Sequence, residues 1–96
     1  MGLITFQLKY SEEAIEDIGY FKKLGDKSIQ KKIDRLLQEL EEHPKTGSGQ
    51  VEPLKYDLTG FWSRRINTEH RILYQIDEQK RIVYIFKMKG HYYAKK

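Results

Sequence analysis

Five aliphatic residues, Ile29, Ile33, Leu36, Leu37 and Leu40, recur at steps of three, four or one residue, and no strand can hold all five on one side. An α-helix does, because its 3.6-residue turn stacks positions i, i+4, i+7, i+8 and i+11 into one stripe. Such a stripe must be covered, so the chain needs a second layer. Asp26 stands where a side-chain cap belongs, and Pro44 lies just beyond the last stripe position. Upstream, Ser11 caps another helix predicted over Glu12 to Leu24, with Glu12 and Glu13 at the positive end of its dipole. Its apolar positions Ala14, Ile18 and Phe21 fall at i, i+4 and i+7, and Gly25 suits a left-handed closing residue. Two helices joined through Gly25-Asp26 make an αα-hairpin, and both stripes are assigned to the core rather than to chemistry.

The remaining chain changes period from 3.6 to 2. Leu3 to Lys9 is a short β-compatible run carrying Phe6 and Leu8. Phe61 to Ile66, His70 to Ile76 and Arg81 to Met88 alternate as strands, separated by Asn67-Thr68-Glu69 and by Asp77 to Lys80. With Asn67-Thr68-Glu69 as the loop, Ile66 pairs with His70, Trp62 with Tyr74, Arg64 with Ile72 and Arg65 with Arg71. Trp62, Ile66, Ile72, Tyr74 and Ile76 then face the helices, and Arg65 and Arg71 project together from the other side. Like charges placed opposite one another repel, so this pair calls for an anion between them or a carboxylate nearby. A two-residue loop would separate the arginines onto opposite faces. The predicted class is α+β: an N-terminal strand and an αα-hairpin packed on a twisted antiparallel sheet of four or five strands, in the order β-α-α-β-β-β. Between the halves, residues 45–60 are rich in turn formers, with a short strand expected around Leu54 to Leu58. Gly47-Ser48-Gly49 neither follows a convincing strand nor opens a helix, so it is expected to be a flexible loop and not a phosphate cradle.

Composition narrows the partners. A chain of 96 residues is expected to form a single domain over positions 1–96. Without cysteine it has neither a disulfide framework nor a thiolate metal site. The start, Met1-Gly2-Leu3-Ile4-Thr5-Phe6, lacks a basic n-region, and no stretch approaches the ~20 apolar residues of a membrane helix; a cytoplasmic location and no membrane partner are expected. The net charge is +4, but residues 1–50 carry eight Lys and Arg against nine Asp and Glu, whereas residues 51–96 carry ten against five. A basic half with Tyr56, Trp62, Tyr92 and Tyr93 can hold phosphates by charge and bases by stacking, which makes nucleic acid the leading class of partner. His43, His70 and His91 are too far apart to suggest a metal site, no carboxylate cluster marks a two-metal centre, and Ser63 lacks a nucleophile elbow. No cofactor or metal is expected.

That basic half holds Glu52-Pro53-Leu54-Lys55, then Gly60-Phe61-Trp62-Ser63-Arg64-Arg65-Ile66, Glu69-His70-Arg71 and a late His91-Tyr92. A lone carboxylate, clustered cations and a histidine are the groups needed to cut a phosphodiester without a metal. Together with the looser Ser11-Glu12-Glu13-Ala14, Glu16-Asp17, Tyr20, Asp26-Lys27 and Lys31-Lys32-Ile33, these motifs resemble the YoeB (Txe/YoeB) branch of the RelE/ParE toxin superfamily over nearly the whole chain. The resemblance implies a type II toxin, an endoribonuclease that enters the ribosomal A site and cleaves bound mRNA, held silent by a cognate acidic antitoxin of the YefM/Phd type. The implied assemblies are a homodimer or a toxin–antitoxin hetero-oligomer. Glu52 matches the family's general base, Arg71 its phosphate-binding arginine, His91 its general acid and Tyr92 the adjacent tyrosine, while Lys55 and Arg65 match further active-site cations.

These types suit the reaction. RNA supplies its own nucleophile, the 2′-hydroxyl, so the enzyme needs a base, an acid for the departing 5′-oxygen, and cations for the phosphorane. Other polar residues have structural readings: His70 on the apolar side, Trp62 in packing, His43 at a helix end. Arg64 has the parity of the core face, where a structural ion pair and an RNA contact are equally open. The sequence departs from the family's pattern in a longer segment before Ser11, in Lys89 where arginine is common, and in Tyr93-Ala94-Lys95-Lys96 after the usual His-Tyr end. The alternatives are a nonenzymatic inhibitory binder, as in the ParE branch that acts on gyrase, and a general RNA-binding module.

Overall fold

The computed structural model describes residues 5–90. Strand β1 (Gln7–Tyr10) leads into helices α1 (Glu12–Leu24) and α2 (Lys27–Glu42), followed by β2 (Glu52–Pro53), a single 3-10 turn (Tyr56–Leu58), β3 (Trp62–Arg65), β4 (Arg71–Asp77) and β5 (Ile82–Lys87). The caps are those the sequence announces. Ser11 Oγ accepts from Ala14 N at 3.0 Å, Asp26 Oδ1 accepts from Ile29 N at 3.1 Å, and Gly25 closes α1 with φ +74°, a conformation that glycine adopts without strain.

The sheet has five strands in the order β1-β5-β4-β3-β2. From β2 to β5 it is an antiparallel meander, but β1 runs parallel to β5, with Leu8 beside Val83 and Tyr10 beside Ile85. The sheet is therefore mixed, where all-antiparallel pairing was expected. Alternation says which face a side chain takes and nothing about strand direction. The helical hairpin carries the chain across one face to the far edge, and the meander returns β5 to β1 in the parallel sense.

The edge near Glu52 also differs from expectation. Leu54 to Leu58 form no strand; Lys55 O accepts from Leu58 N at 3.0 Å, Tyr56 O from Thr59 N at 3.0 Å, and Tyr56 takes φ +58°. Pro53 lacks a ladder donor, and the two-residue β2 lies at the sheet edge where proline is tolerated.

One sheet face packs on the helices. Phe21, Leu36, Leu40, Ile66, Ile72, Tyr74, Val83, Ile85 and Met88 make a buried core, with Trp62 and Ile76 packed against it. Between Leu73/Tyr74 and their partners Lys87/Ile85 the register shifts. This bulge at Phe86 moves the alternation by one residue, so the buried positions of β5 continue as Met88. The bulged Phe86 carbonyl accepts from the Ser11 hydroxyl at 2.8 Å, which ties the start of α1 to the bulge.

Arg64 is the anomaly of the core face. It is fully buried, donating through Nη1 to Glu39 Oε1 at 2.9 Å and through Nη2 to the carbonyls of His43 (2.8 Å) and Thr46 (2.7 Å). Gly47-Ser48-Gly49 closes over it. Ser48 N and Oγ donate to the two Glu39 carboxylate oxygens, and a Cβ on Gly49 would lie 2.8 Å from both Arg64 Cγ and the Arg65 carbonyl. The expected flexible loop is thus a bonded lid, and glycine is needed for close approach as well as for φ +92°. Burial alone would raise the Glu39 pKa, but the bonds from Ser48 and the charges of Arg64 and Arg35 outweigh it and hold the carboxyl below its ordinary 4.5.

A carboxyl with a depressed folded-state pKa stabilises the protein above its unfolded pKa and stops doing so as pH falls through the folded value. Glu39→Ala is expected to cost about 3 kcal/mol at pH 7, because it leaves a buried guanidinium without its countercharge. Urea denaturation at pH 7 and pH 3 should show the gap to wild type narrowing in acid; an unchanged gap would contradict the assignment.

Candidate nucleic-acid interface

The face away from the helices carries the chemistry. In the register Glu52 pairs with Ser63, Ser63 with Leu73, and Arg65 with Arg71. Residues directly opposite share a face, so Glu52, Ser63, Arg65 and Arg71 all belong to the side away from the helices, where Ser63 is itself buried. The three-residue loop holds: Ile66 N donates to His70 O at 2.9 Å, and Asn67 Oδ1 accepts from Glu69 N and His70 N at 2.8 Å, an Asx turn that pins the connection.

Each cation is held differently. Arg65 Nε donates to Asn67 O at 3.1 Å and its Nη1 to Gln50 Oε1 at 3.2 Å, while its backbone N donates to Gly49 O at 2.5 Å. Arg71 Nε is buried, with no hydrogen-bond partner among the described residues, and the same is true of the Ser63 hydroxyl. Among the described residues neither Arg65 nor Arg71 forms an ion pair. Of the two ways to relieve the opposed arginines, a neighbouring carboxylate is not used among the described residues; an external anion is the other. Lys55 is exposed and leads the 3-10 turn, on which Tyr56 stands 89 % exposed.

Arg64 faces the core as a structural ion pair, which decides between its two sequence readings. His70 faces the core side too: its ring meets Phe21 edge to face at 5.0 Å, and its Nδ1 accepts from Gly90 N at 2.8 Å. His91 and Tyr92 lie outside the described residues. A residue to which sequence reasoning gave no role is Asp17, 7 % exposed on α1, whose Oδ2 accepts from Met88 N (2.7 Å) and Lys89 N (3.0 Å). Its signal was legible: a carboxylate lies between Ala14 and Phe21 on an otherwise apolar stripe.

A cleft between the helices, lined by Ile18, Phe21, Lys22, Gln30, Ile33 and Asp34, lies across the sheet from this face. Among the described residues no His, Asp and Glu side chains gather into a group of three able to hold a metal, and no helix is long and apolar enough to cross a membrane.

An αα-hairpin on one side of a five-stranded sheet is an architecture shared with small bacterial toxins of solved structure. The model of the YoeB-like toxin of bacterial type II toxin-antitoxin systems matches residues 10–92. Toxin YoeB of Escherichia coli K12 is 42% identical over 77 residues, covering 80% of this chain and 90% of that protein. Among solved structures, the YoeB/ParE toxin from Agrobacterium tumefaciens superposes with a TM-score of 0.83 at 30% identity, covering 91% of this chain and all of the other. The toxin of the heterotetrameric YoeB-YefM toxin-antitoxin complex from Staphylococcus aureus does so with 0.77 at 40% identity, over 91% and 98%. The chain belongs to the YoeB family of type II toxins.

If an anion relieves Arg65 and Arg71, inorganic phosphate should stabilise the wild-type fold by about 1.4 kcal/mol at ten times its Kd. Thermal melts in phosphate against chloride at matched ionic strength read this. Arg71→Gln should abolish the phosphate increment, and an equal increment in the variant would place the anion elsewhere.

Proposed function

We propose that this toxin is a ribosome-dependent endoribonuclease that cuts mRNA in the A site and thereby stops translation. The observation that carries the reading is the shared sheet face of Glu52, Arg65 and Arg71, whose arginines have no protein countercharge among the described residues. In the proposed reaction Glu52 takes the proton of the 2′-hydroxyl, whose oxygen attacks the adjacent phosphorus. Arg71, with Lys55 and Arg65, stabilises the pentacoordinate phosphorane; arginine's planar donors match two phosphate oxygens where lysine offers one point charge. His91 gives its proton to the departing 5′-oxygen. The products are a 2′,3′-cyclic phosphate and a 5′-hydroxyl. No metal is required because the substrate carries its nucleophile, and Tyr92 is assigned to stacking on a base.

The same basic face explains how such an enzyme is kept silent. A cognate acidic antitoxin segment of YefM/Phd type would neutralise the charges and fold across them, in keeping with the YoeB-YefM heterotetramer among the relatives. A cytoplasmic site of action follows from the proposed ribosomal substrate.

Single-turnover cleavage of a ribosome-bound message, at saturating ribosome, tests the roles. Removing the base or the acid, in Glu52→Ala or His91→Ala, should slow cutting by about 100-fold or more. Arg71→Lys should keep ribosome binding but cut about 10- to 100-fold more slowly. Rates equal to wild type in all three would overturn the mechanism, and growth arrest with intact messages would point to a nonenzymatic binder.

A further inference from the structure

Beyond the proposed acid and base, we propose that one stripe of α1, with His70, is a positioning device for residues 87–90, which lead into His91, and that Asp17 and His70 are its two positioning residues. This rests on the reading of His91 as the general acid. Glu13, Asp17 and Tyr20 lie at i, i+4 and i+7, hence on one side of the helix. They meet three successive residues, the last of β5 and the two that follow it. Glu13 pairs with Lys87 Nζ at 2.9 Å, Asp17 Oδ2 takes the backbone N–H groups of Met88 and Lys89, and Lys89 Nζ stands 4.3 Å over the Tyr20 ring.

β5 ends at Lys87, so the next two N–H groups have no strand to donate to. Met88 is fully buried, and an unpaired N–H there would be costly. Asp17 satisfies both donors with one oxygen, and a buried carboxylate is itself tolerable only when hydrogen-bonded in this way. Capping a strand end would need no more than that. Yet the following residue is clamped from the other side as well: Gly90 N donates to His70 Nδ1 at 2.8 Å, and Gly90 O accepts from Arg71 N at 3.3 Å. Because Nδ1 accepts, the proton of the neutral ring sits on Nε2, which lies 3.5 Å from Glu69 Oε1. The ring is steadied edge-on by Phe21 at 5.0 Å and Tyr20 at 6.4 Å.

Gly90 is the residue immediately before His91. Its carbonyl is bonded to the backbone of Arg71, the proposed phosphate ligand, so the origin of the acid-bearing segment is tied to the phosphate site through one hydrogen bond. Lys89 sets its ammonium over Tyr20, which holds this cation on the helix side of the clamp.

The test separates placement from folding. His70→Phe keeps a ring against Phe21 and deletes the acceptor; His70→Asn puts Oδ1 where Nδ1 stood. Asp17→Ala removes the other tie, and Asp17→Asn keeps an acceptor. Amide hydrogen exchange in the free protein should quicken about tenfold at Gly90 in His70→Phe, and at Met88 and Lys89 in Asp17→Ala, with core amides still protected. Single-turnover cleavage should fall about 10- to 100-fold, the cost of a small misplacement, with ribosome Kd within about twofold of wild type. His70→Asn and Asp17→Asn should recover most of the rate. Should His70→Phe fail to fold, His70→Asn against His70→Gln asks the same question, since Gln sets its acceptor at the Nε2 position; equal rates for these two overturn the proposal. Wild-type cutting by Asp17→Ala and His70→Phe, beside an inactive His91→Ala, also overturns it and leaves the nuclease reading standing. An active His91→Ala removes the acid itself, and the proposal with it.

Discussion

The open face of this protein depends on a charge buried on the opposite one. Arg64 lies at a core position of β3, where alternation would ordinarily supply an aliphatic side chain. Its guanidinium instead collects Glu39 from α2 and two carbonyls from the segment after it, and Gly47 to Gly49 fold down over it. The polypeptide leaving α2 is thereby laid along the edge of β3. Arg65 N then reaches Gly49 O, and three residues after Gly49 Glu52 pairs with Ser63. Strand geometry does the rest: successive side chains point to opposite faces, so Arg64 organises the edge from within while Arg65 meets solvent from without. A buried ion pair is weak evidence for net stability; here its consequence is geometric, because it brings the carboxylate strand beside the arginine strands.

Helix limits and β3–β4 register were legible because they follow from local rules. Ser11, Gly25 and Asp26 announce the caps, the aliphatic stripe fixes the second helix, and the Asn67 turn sets a three-residue connection that decides every pair from Trp62 with Tyr74 to Arg65 with Arg71. The juxtaposition of the two arginines needed nothing more. The parallel pairing of β1 with β5 was not legible, since alternation carries no strand direction. The lid over Arg64 was missed because it rests on contacts between residues distant in sequence, and the 3-10 turn after Pro53 because Tyr56 takes positive φ at a position where sequence offers no glycine to warn of it.

Asp17 and His70 illustrate the boundary between these cases. The type and parity of His70 marked it as structural, and the ring indeed packs against Phe21. What parity could not show is that its free nitrogen holds Gly90, which joins the core to the chain end. Asp17 carried the reverse signal, a charge on an apolar stripe, and its meaning emerges only when residues 71 and 72 positions later supply the N–H groups. Both side chains lie at the junction of α1, β4 and the end of β5, where packing and proposed chemistry share the same backbone.

The central claim is that the substrate provides the nucleophile and the protein provides base, acid and cations. The chemistry of the ends tests this most directly. A ribosome-bound message should be cut to leave a 2′,3′-cyclic phosphate and a 5′-hydroxyl, and the same message with a single 2′-deoxy nucleotide on the 5′ side of the scissile phosphate should bind but stay whole. Cleavage of the deoxy-substituted message, or a 5′-phosphate on the downstream product, would show that water or another nucleophile attacks instead and would contradict the assignment of Glu52.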